Sequence, residues 1–260
     1  MNILDKIVAR KKEEIASSKQ LVKIMDLEQS VHFSRTPHIF KDFLQDKDRS
    51  GIIAEFKRRS PSKGLINGVA DVSEVTKAYN KAGASALSVL TDVDFFGGTT
   101  DDILAARAAN DIPILRKDFI IDEYQILEAK AWGADIILLI AGILSPVAIQ
   151  KLAKTAKNLG LNVLLEVHNK AELERSICTD LDVIGVNNRN LEDFTVDLQT
   201  SYQLVDLIPN DFLKISESAI SDPKIIKDLK AVGYQGFLIG ENFMKTEDPG
   251  KAMEDFVKKM

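Results

Sequence analysis

Five short apolar runs in this 260-residue chain each end in an ionisable or amide side chain, and together these endings supply what acid–base chemistry needs. They read IIAEFKRRSPSKG from Ile52, PILRKDF from Pro113, VLLEVH from Val163, VIGVNNRNL from Val183 and KISES from Lys214. Side chains alternate faces along a strand, so Glu55 and Lys57 share one face. Lys117, Glu166, Asn187 with Arg189, and Glu217 can each point the same way from neighbouring strands. Charges of both signs then converge on one rim, as in a parallel barrel that collects catalytic groups at the carboxyl ends of its strands. A lysine such as Lys117 is a fit general acid when its ammonium is held near a developing alkoxide or a leaving hydroxyl. Glu166 follows Leu164 and Leu165, where desolvation would raise its pKa and let it carry a proton at neutral pH. The bland alternatives are a strand-end ion pair worth little for Glu55 and Lys57, and solvated surface groups for Lys117 and Glu166. Their shared parity weighs against these. Arg116 and Asp118 have the opposite parity to Lys117 and are expected to serve structure.

A net charge of −5 gives no general basic face for nucleic acid or an anionic membrane. An anionic ligand must therefore meet local positive charge. Barrels often hold phosphate between the loops after the last two strands and a short helix N-terminus, where backbone N–H groups point at the anion. Here those loops are SESAIS from Ser216 and IGENFM from Ile239. Ser218 offers a hydroxyl and Gly240 allows close backbone approach, although a glycine after a strand is often only a turn. Glu241 beside an anion would be unhelpful unless it points away. Lys57, Arg58, Arg59 and Lys63 lie in one loop without interleaved aromatics, which suits a small anion better than nucleic acid. The FFGG loop at Phe95 brings Phe95 or Phe96 to the rim, able to wall an apolar ring pocket.

His32, His38 and His168 lack metal-ligand spacing, and no HExxH or serine-nucleophile elbow occurs. Trp132 and Cys178 sit in helical patterns and read as packing residues. The single cysteine excludes an internal disulfide and a cysteine-based zinc site. The N-terminus has charges throughout a helical spacing rather than a secretory apolar core, so the cytoplasm is the expected compartment.

The elements that would position these groups follow from alternation of two periods. Strand patterns begin near Ile52, Ala86, Pro113, Asp135, Asn162, Val183, Phe212 and Gly236, separated by helical patterns. IILLIAG from Ile136 and VLLEV are continuous apolar runs, as expected for strands covered on both faces. Ser145-Pro146, Asp222-Pro223 and Asp248-Pro249 each combine an N-cap with a first-turn proline. Behind them Ile149, Leu152, Ala153 and Ala156, then Ile226 and Leu229, then Met253, Phe256 and Val257, are expected to face inward. The pattern predicts an α/β chain, a (β/α)8 TIM barrel forming one domain over residues 1–260. Residues 1–45 form an N-terminal extension that covers the barrel surface, helical from Ile3 to Ser17 and without an obvious strand thereafter.

In order and spacing, AEFKRRSPSKG, SVLTDVDFFGG, ILRKDF, LLEVH, IGVNNRNL, SES and FLIGEN resemble the indole-3-glycerol phosphate synthase family from roughly residue 50 to 245. The resemblance implies a carboxy-lyase of tryptophan biosynthesis acting on 1-(2-carboxyphenylamino)-1-deoxyribulose 5-phosphate. It closes the ring and releases CO2 and water, without metal or organic cofactor. It implies Lys117 as the general acid for attack of the aryl ring on the ketone carbon. Lys57 would position the substrate carboxylate and assist proton transfer, and Glu166 would be the acid or base of dehydration. Glu55, Asn187 and Glu217 would orient these groups and the substrate hydroxyls, and Arg189 would add positive charge. Ser60, Ser218 and Gly240 would surround the phosphate, and Phe96, Phe119 and Leu191 would complete the substrate pocket. The partner is a phosphorylated small molecule, with no nucleic acid or membrane, and the chain is expected to act as a monomer with at most weak association with other pathway enzymes. Two positions depart from the family pattern: Ala219 stands where glycine usually follows SES, and Asn242 where serine is common. If position 219 needs a positive φ, alanine strains that loop by about 1 kcal/mol.

The other readings are another sugar-phosphate barrel, such as phosphoribosylanthranilate isomerase, and a phospho-ligand-binding barrel without catalysis. The first wants a Cys and Asp pair at strand ends, and the second would be expected to lose the rim acids.

Overall fold

The computed structural model describes residues 3–191 and 194–260. Its barrel strands are β1 (Ile52–Phe56), β2 (Ala86–Leu90), β3 (Ile114–Lys117), β4 (Ile136–Ile140), β5 (Asn162–Val167), β6 (Val183–Asn187), β7 (Leu213–Glu217) and β8 (Gly236–Ile239). Each begins within one residue of its expected start. All pair in parallel with their chain neighbours, and β8 returns to β1 to close the barrel.

The helices are α1 (Ile3–Leu21), α2 (Ile24–Glu28), α3 (Phe40–Gln45), α4 (Val72–Lys81), α5 (Thr100–Ala109), α6 (Glu123–Ala131), α7 (Pro146–Asn158), α8 (Lys170–Ser176), α9 (Gln199–Leu204), α10 (Pro223–Ala231), α11 (Glu241–Met244) and α12 (Pro249–Val257). The caps of α7, α10 and α12 are Ser145, Asp222 and Asp248, whose side chains accept from the N–H groups of Ala148, Lys224 and Lys251. Each cap satisfies one of the amides that a helix start leaves unpaired. Ile149, Leu152, Ala153 and Ala156 are buried as their spacing requires, and so are Ile226, Leu229, Met253 and Phe256, while Val257 is partly buried.

Strand parity divides the interior into two apolar layers. Ile53, Leu115, Ile136, Leu138, Leu164, Val183, Ile215 and Leu238 fill the lumen, and residues such as Ile52, Ile114, Ile137, Leu139, Val163 and Ile184 pack outward against the helices. A buried aliphatic side chain contributes about 1.5–3 kcal/mol relative to exposure. The barrel is therefore held closed from its middle and lower layers, which leaves the upper rim free to carry polar groups.

The N-terminal segment does more than cover surface. Phe40 and Leu44, one turn apart on α3, are buried in the lumen cluster with Leu213 and Ile215, so α3 plugs the barrel floor. An apolar pair at this spacing fills the open lower end, which the mixed composition of the segment concealed. Higher up, the α1 lysine Lys11 is almost fully buried, 2.9 Å from Asp92 and 3.0 Å from Asp118. Tyr124 Oη on α6 donates to the carbonyls of Ser18 and Val22. No helix among the described residues is long and apolar enough to cross a membrane.

Candidate active site

Glu55, Lys117, Glu166, Asn187 and Glu217 end or nearly end their strands, and their inward parity brings them together at the top of the lumen. Lys117 Nζ donates to Glu166 Oε2 at 2.8 Å and to Glu217 Oε2 at 3.0 Å, while Lys57 Nζ lies 2.6 Å from Glu55 Oε1. The cavity above them is lined by these groups, by Ser60, Arg189 and Ser218, and by the apolar surfaces of Phe96, Phe119 and Leu191. Phe96 and Phe119 pack in a tilted pair with centroids 5.9 Å apart. Phe95 packs against the lumen cluster as Phe96 does, but does not line this cavity. One pocket thus combines an apolar slot able to take an aromatic ring with a polar base able to move protons.

Asn187 Oδ1 accepts from Ser218 Oγ at 2.9 Å and from the Arg189 backbone N–H at 3.0 Å, which ties the β6 and β7 ends together. Arg116 and Asp118 do serve structure. The Arg116 guanidinium bonds Asp118, Glu128 and the Gln125 carbonyl, with its charge 4.1 Å from the Trp132 ring centroid.

The carboxylates divide their work differently from the expectation that Glu166 would carry a proton at neutral pH. Burial alone would raise its pKa, but the Lys117 charge and the His168 ring outweigh burial and hold Glu166 below the usual carboxylate range. Glu217 is the raised carboxyl. Burial lifts it to about 7, Lys117 opposes the lift, and the negative charges of Glu166 and Glu55 add to it. Glu217 Oε1 is buried without a hydrogen-bond partner, which also favours the neutral form. Burial works against charge on Lys117 too, yet Glu166, Glu217 and Glu55 together hold it protonated above the ordinary lysine range.

Glu217 gives a stability signature. Its folded pKa is above its unfolded one, so its contribution is full below about pH 4.5 and is lost as pH rises through about 7. Wild type should lose stability relative to Glu217→Gln between about pH 5 and about pH 8, a trend that denaturant melts at several pH values would detect.

Beside this pocket a second concavity is bounded by Ser218, Ala219, Ser221, Gly240, Glu241, Asn242, Lys63 and Arg189. Ser218 and Ala219 both adopt left-handed backbone, φ 65° and 62°, so position 219 does carry the conformation in which alanine is strained. Gly240 is needed for a reason other than ligand approach. A Cβ there would lie 2.6 Å from Glu55 Oε1 and 2.8 Å from Glu55 Cβ. Glu241 does not point away: its carboxylate lies 3.6 Å from Lys63 Nζ and 3.4 Å from Arg189 Nη2, drawn in by both cations. Asn242 Nδ2 reaches the Ser221 carbonyl at 3.5 Å.

Two positions of consequence escaped sequence reasoning. Gly185, on the inner face of β6, leaves room for Glu217, since a Cβ there would lie 2.4 Å from Glu217 Oε1. Its inward parity in VIGVN was the available signal. His168, which has no metal-ligand spacing, lies two residues beyond Glu166 and therefore on the same face, with Nε2 3.3 Å from Glu166 Oε1. Cys178 lies just past α8 rather than within a helix and is half-buried.

The indole-3-glycerol phosphate synthase family model matches residues 4–256. Proteins named indole-3-glycerol phosphate synthase are similar over nearly the whole length. That of Bacteroides thetaiotaomicron is 49% identical over 99% of this chain and 98% of its own. That of Bordetella pertussis is 42% identical over 96% of each, and that of Kineococcus radiotolerans 39% identical over 99% of this chain and 95% of its own. Solved structures described as native KDPGal and as KGPDC from Streptococcus mutans share the fold alone. The first has TM-score 0.56 and 12% identity, over 79% of this chain and 90% of that one. The second has TM-score 0.59 and 11% identity, over 80% and 96%. With barrel, rim and near full-length relatives in agreement, the chain belongs to the indole-3-glycerol phosphate synthase family.

Proposed function

We propose that this chain is an indole-3-glycerol phosphate synthase, converting 1-(2-carboxyphenylamino)-1-deoxyribulose 5-phosphate to indole-3-glycerol phosphate, CO2 and water. The observation that carries this reading is Lys117, an ammonium gripped by two carboxylates at the base of a pocket whose walls are aromatic and aliphatic. The aryl ring lies against Phe96, Phe119 and Leu191, with its carboxylate toward Lys57. Lys117 protonates the ketone oxygen as the ring carbon attacks, and loss of CO2 restores the aromatic ring. Loss of water then needs an acid for the departing hydroxyl and a base for the proton shed beside the nitrogen. Glu166, held ionised, is the base, and Lys57, still protonated after Lys117 has given its proton to the ketone oxygen, is the acid. Glu55 orients Lys57, while Asn187 and Glu217 orient the hydroxyl-bearing chain.

The phosphate sits in the adjoining concavity against Ser218 and Gly240, with Arg189 and Lys63 supplying charge, while Ser60, expected beside it, lines the first pocket instead. Its two negative charges compete with Glu241 for these cations. Ala219→Gly should relieve left-handed strain. After the entropy that glycine gains in the unfolded chain is set against it, a stabilisation of up to about 1 kcal/mol is expected, read from denaturant midpoints.

Residues 58–68 are proposed as the lid over both concavities. Arg59–Ser60 and Gly64–Leu65 form a short antiparallel hairpin, and Lys63 at its tip is exposed and within reach of Glu241. The ends are anchored by the Arg58–Asp102 ion pair and by Asn67 Nδ2 on the Met244 carbonyl. Hydrogen exchange at the tip should slow when inorganic phosphate or a substrate analogue is added. Equal protection with and without ligand would refute closure.

The isomerase alternative needs a cysteine at a strand end. Cys178 precedes β6, at the opposite end of the barrel from the rim. A purified sample should therefore generate indole fluorescence from the carboxyphenylamino substrate and leave the phosphoribosyl-anthranilate isomerase substrate unchanged. The reverse pattern would overturn the assignment.

A further inference from the structure

We infer that His168 is a positioning residue for the reaction: from outside the substrate pocket it supplies the second cationic partner of Glu166, and its ring is set by Glu172 on α8. Glu166 has two oxygens with two separate tasks. Oε2 accepts from Lys117 at 2.8 Å, on the side facing the substrate pocket, and Oε1 faces His168 Nε2 at 3.3 Å. His168 does not line the substrate pocket. It borders a different, more polar cavity beneath α1, and its side chain is only 12% exposed.

The ring is fixed from behind. Glu172 Oε2 lies 3.1 Å from His168 Nδ1 and accepts the His168 backbone N–H at 2.8 Å. Glu172 is itself held, its Oε1 accepting from Asn169 Nδ2 at 3.1 Å while its backbone N–H donates to the Asn169 cap. Nδ1 is thus within hydrogen-bonding distance of the Glu172 carboxylate, and Nε2 faces Glu166 Oε1 at 3.3 Å as an ion-pair contact without hydrogen-bond geometry, so a carboxylate stands on each side of the ring and favours the doubly protonated imidazolium. Burial opposes that charge, but the two flanking carboxylates, Glu166 and Glu172, outweigh it and push the His168 pKa up to about 10. The other charges around it are Arg175 on α8 beside Glu172, Asp5 and Lys12 of α1 and Asp197 of the β6 loop across the cavity, and Lys117 beyond Glu166.

The consequence concerns proton traffic. Lys117 must release a proton to the substrate, and at that moment Glu166 loses its nearer positive partner. A fixed imidazolium on the other oxygen keeps the Glu166 carboxylate ionised and aimed, so it does not simply take the proton from Lys117. His168 thus separates the acid from the base.

This inference rests on the proposed activity and is tested by pH–rate profiles of wild type, His168→Gln and Glu172→Gln. At about pH 6, kcat of His168→Gln should fall on the order of tenfold with KM within about twofold, because Glu166 then has one positive partner and protonates more readily. The deficit should close toward about pH 9, and Glu172→Gln should show a smaller deficit with the same trend. A deficit that is constant across this range, or confined to KM, would overturn the inference. Should His168→Gln not fold, Glu172→Gln carries the same test. Titration of the His168 imidazole in the wild-type protein by NMR gives a readout independent of turnover. A midpoint above about 8 is expected, and one below about 7 overturns the inference. Absence of any wild-type turnover would instead remove the proposed activity and leave the imidazole titration to decide the charge on His168.

Discussion

Replacing Lys117 with alanine should lower turnover by on the order of 10²–10⁴, with a much smaller change in substrate affinity. The asymmetry follows from where the ammonium acts. It bonds Glu166 and Glu217 in the resting protein, and in the proposed mechanism it exchanges one of those bonds for the ketone oxygen only as negative charge develops there. The proposed phosphate and aryl contacts lie elsewhere in the pocket and should survive the substitution. The variant also leaves Glu166 and Glu217 facing each other without the charge between them, so the pair should hold a proton and some of the loss should depend on pH. Steady-state kinetics with a binding measurement on a substrate analogue separate these effects. Near-normal turnover would remove Lys117 from the mechanism.

Glu166→Gln should give the second largest effect, of a different kind. Glutamine preserves size and some hydrogen bonding but can neither accept the proton of dehydration nor balance the charges of Lys117 and His168. Ring closure and decarboxylation precede loss of water, so they should be slowed less than the final step. In a single-turnover experiment CO2 should appear well ahead of indole fluorescence, with overall turnover down by on the order of 10²–10⁴. Equal slowing of both signals would assign Glu166 an earlier or purely orienting role. The low pKa of Glu166 sharpens this prediction, because a carboxyl already ionised is placed to act as base, whereas Glu217, near 7, is the group able to hold a proton.

Much of this was legible in the sequence because parallel strands buried on both faces tolerate charge only at their ends. Once the runs ending in Glu55, Lys117, Glu166, Asn187 and Glu217 were aligned, period-two alternation alone put these side chains on one rim. The proline-opened helices were equally plain, since Ser145, Asp222 and Asp248 each announce a helix start locally. What could not be read depends on distances across the barrel. Glu166 and Glu217 have similar sequence surroundings, and only the positions of Lys117 and His168 relative to each decide which carboxyl is depressed and which is raised. Gly185 and Gly240 look like ordinary turn or strand glycines until Glu217 and Glu55 are seen against them. The α3 plug was hidden for a related reason: two apolar residues in a short mixed segment signal little until an open barrel floor is there to receive them.

In the proposed reaction this rim couples ring closure to decarboxylation and dehydration of a single phosphorylated substrate. The most direct measurement is the stoichiometry of one complete turnover by the wild-type protein, with CO2 and indole-3-glycerol phosphate quantified from the same limiting sample of 1-(2-carboxyphenylamino)-1-deoxyribulose 5-phosphate. Equal amounts of the two products, together accounting for all substrate consumed, are predicted. Substrate consumed without CO2, or an isomer formed in place of the indole, would contradict it.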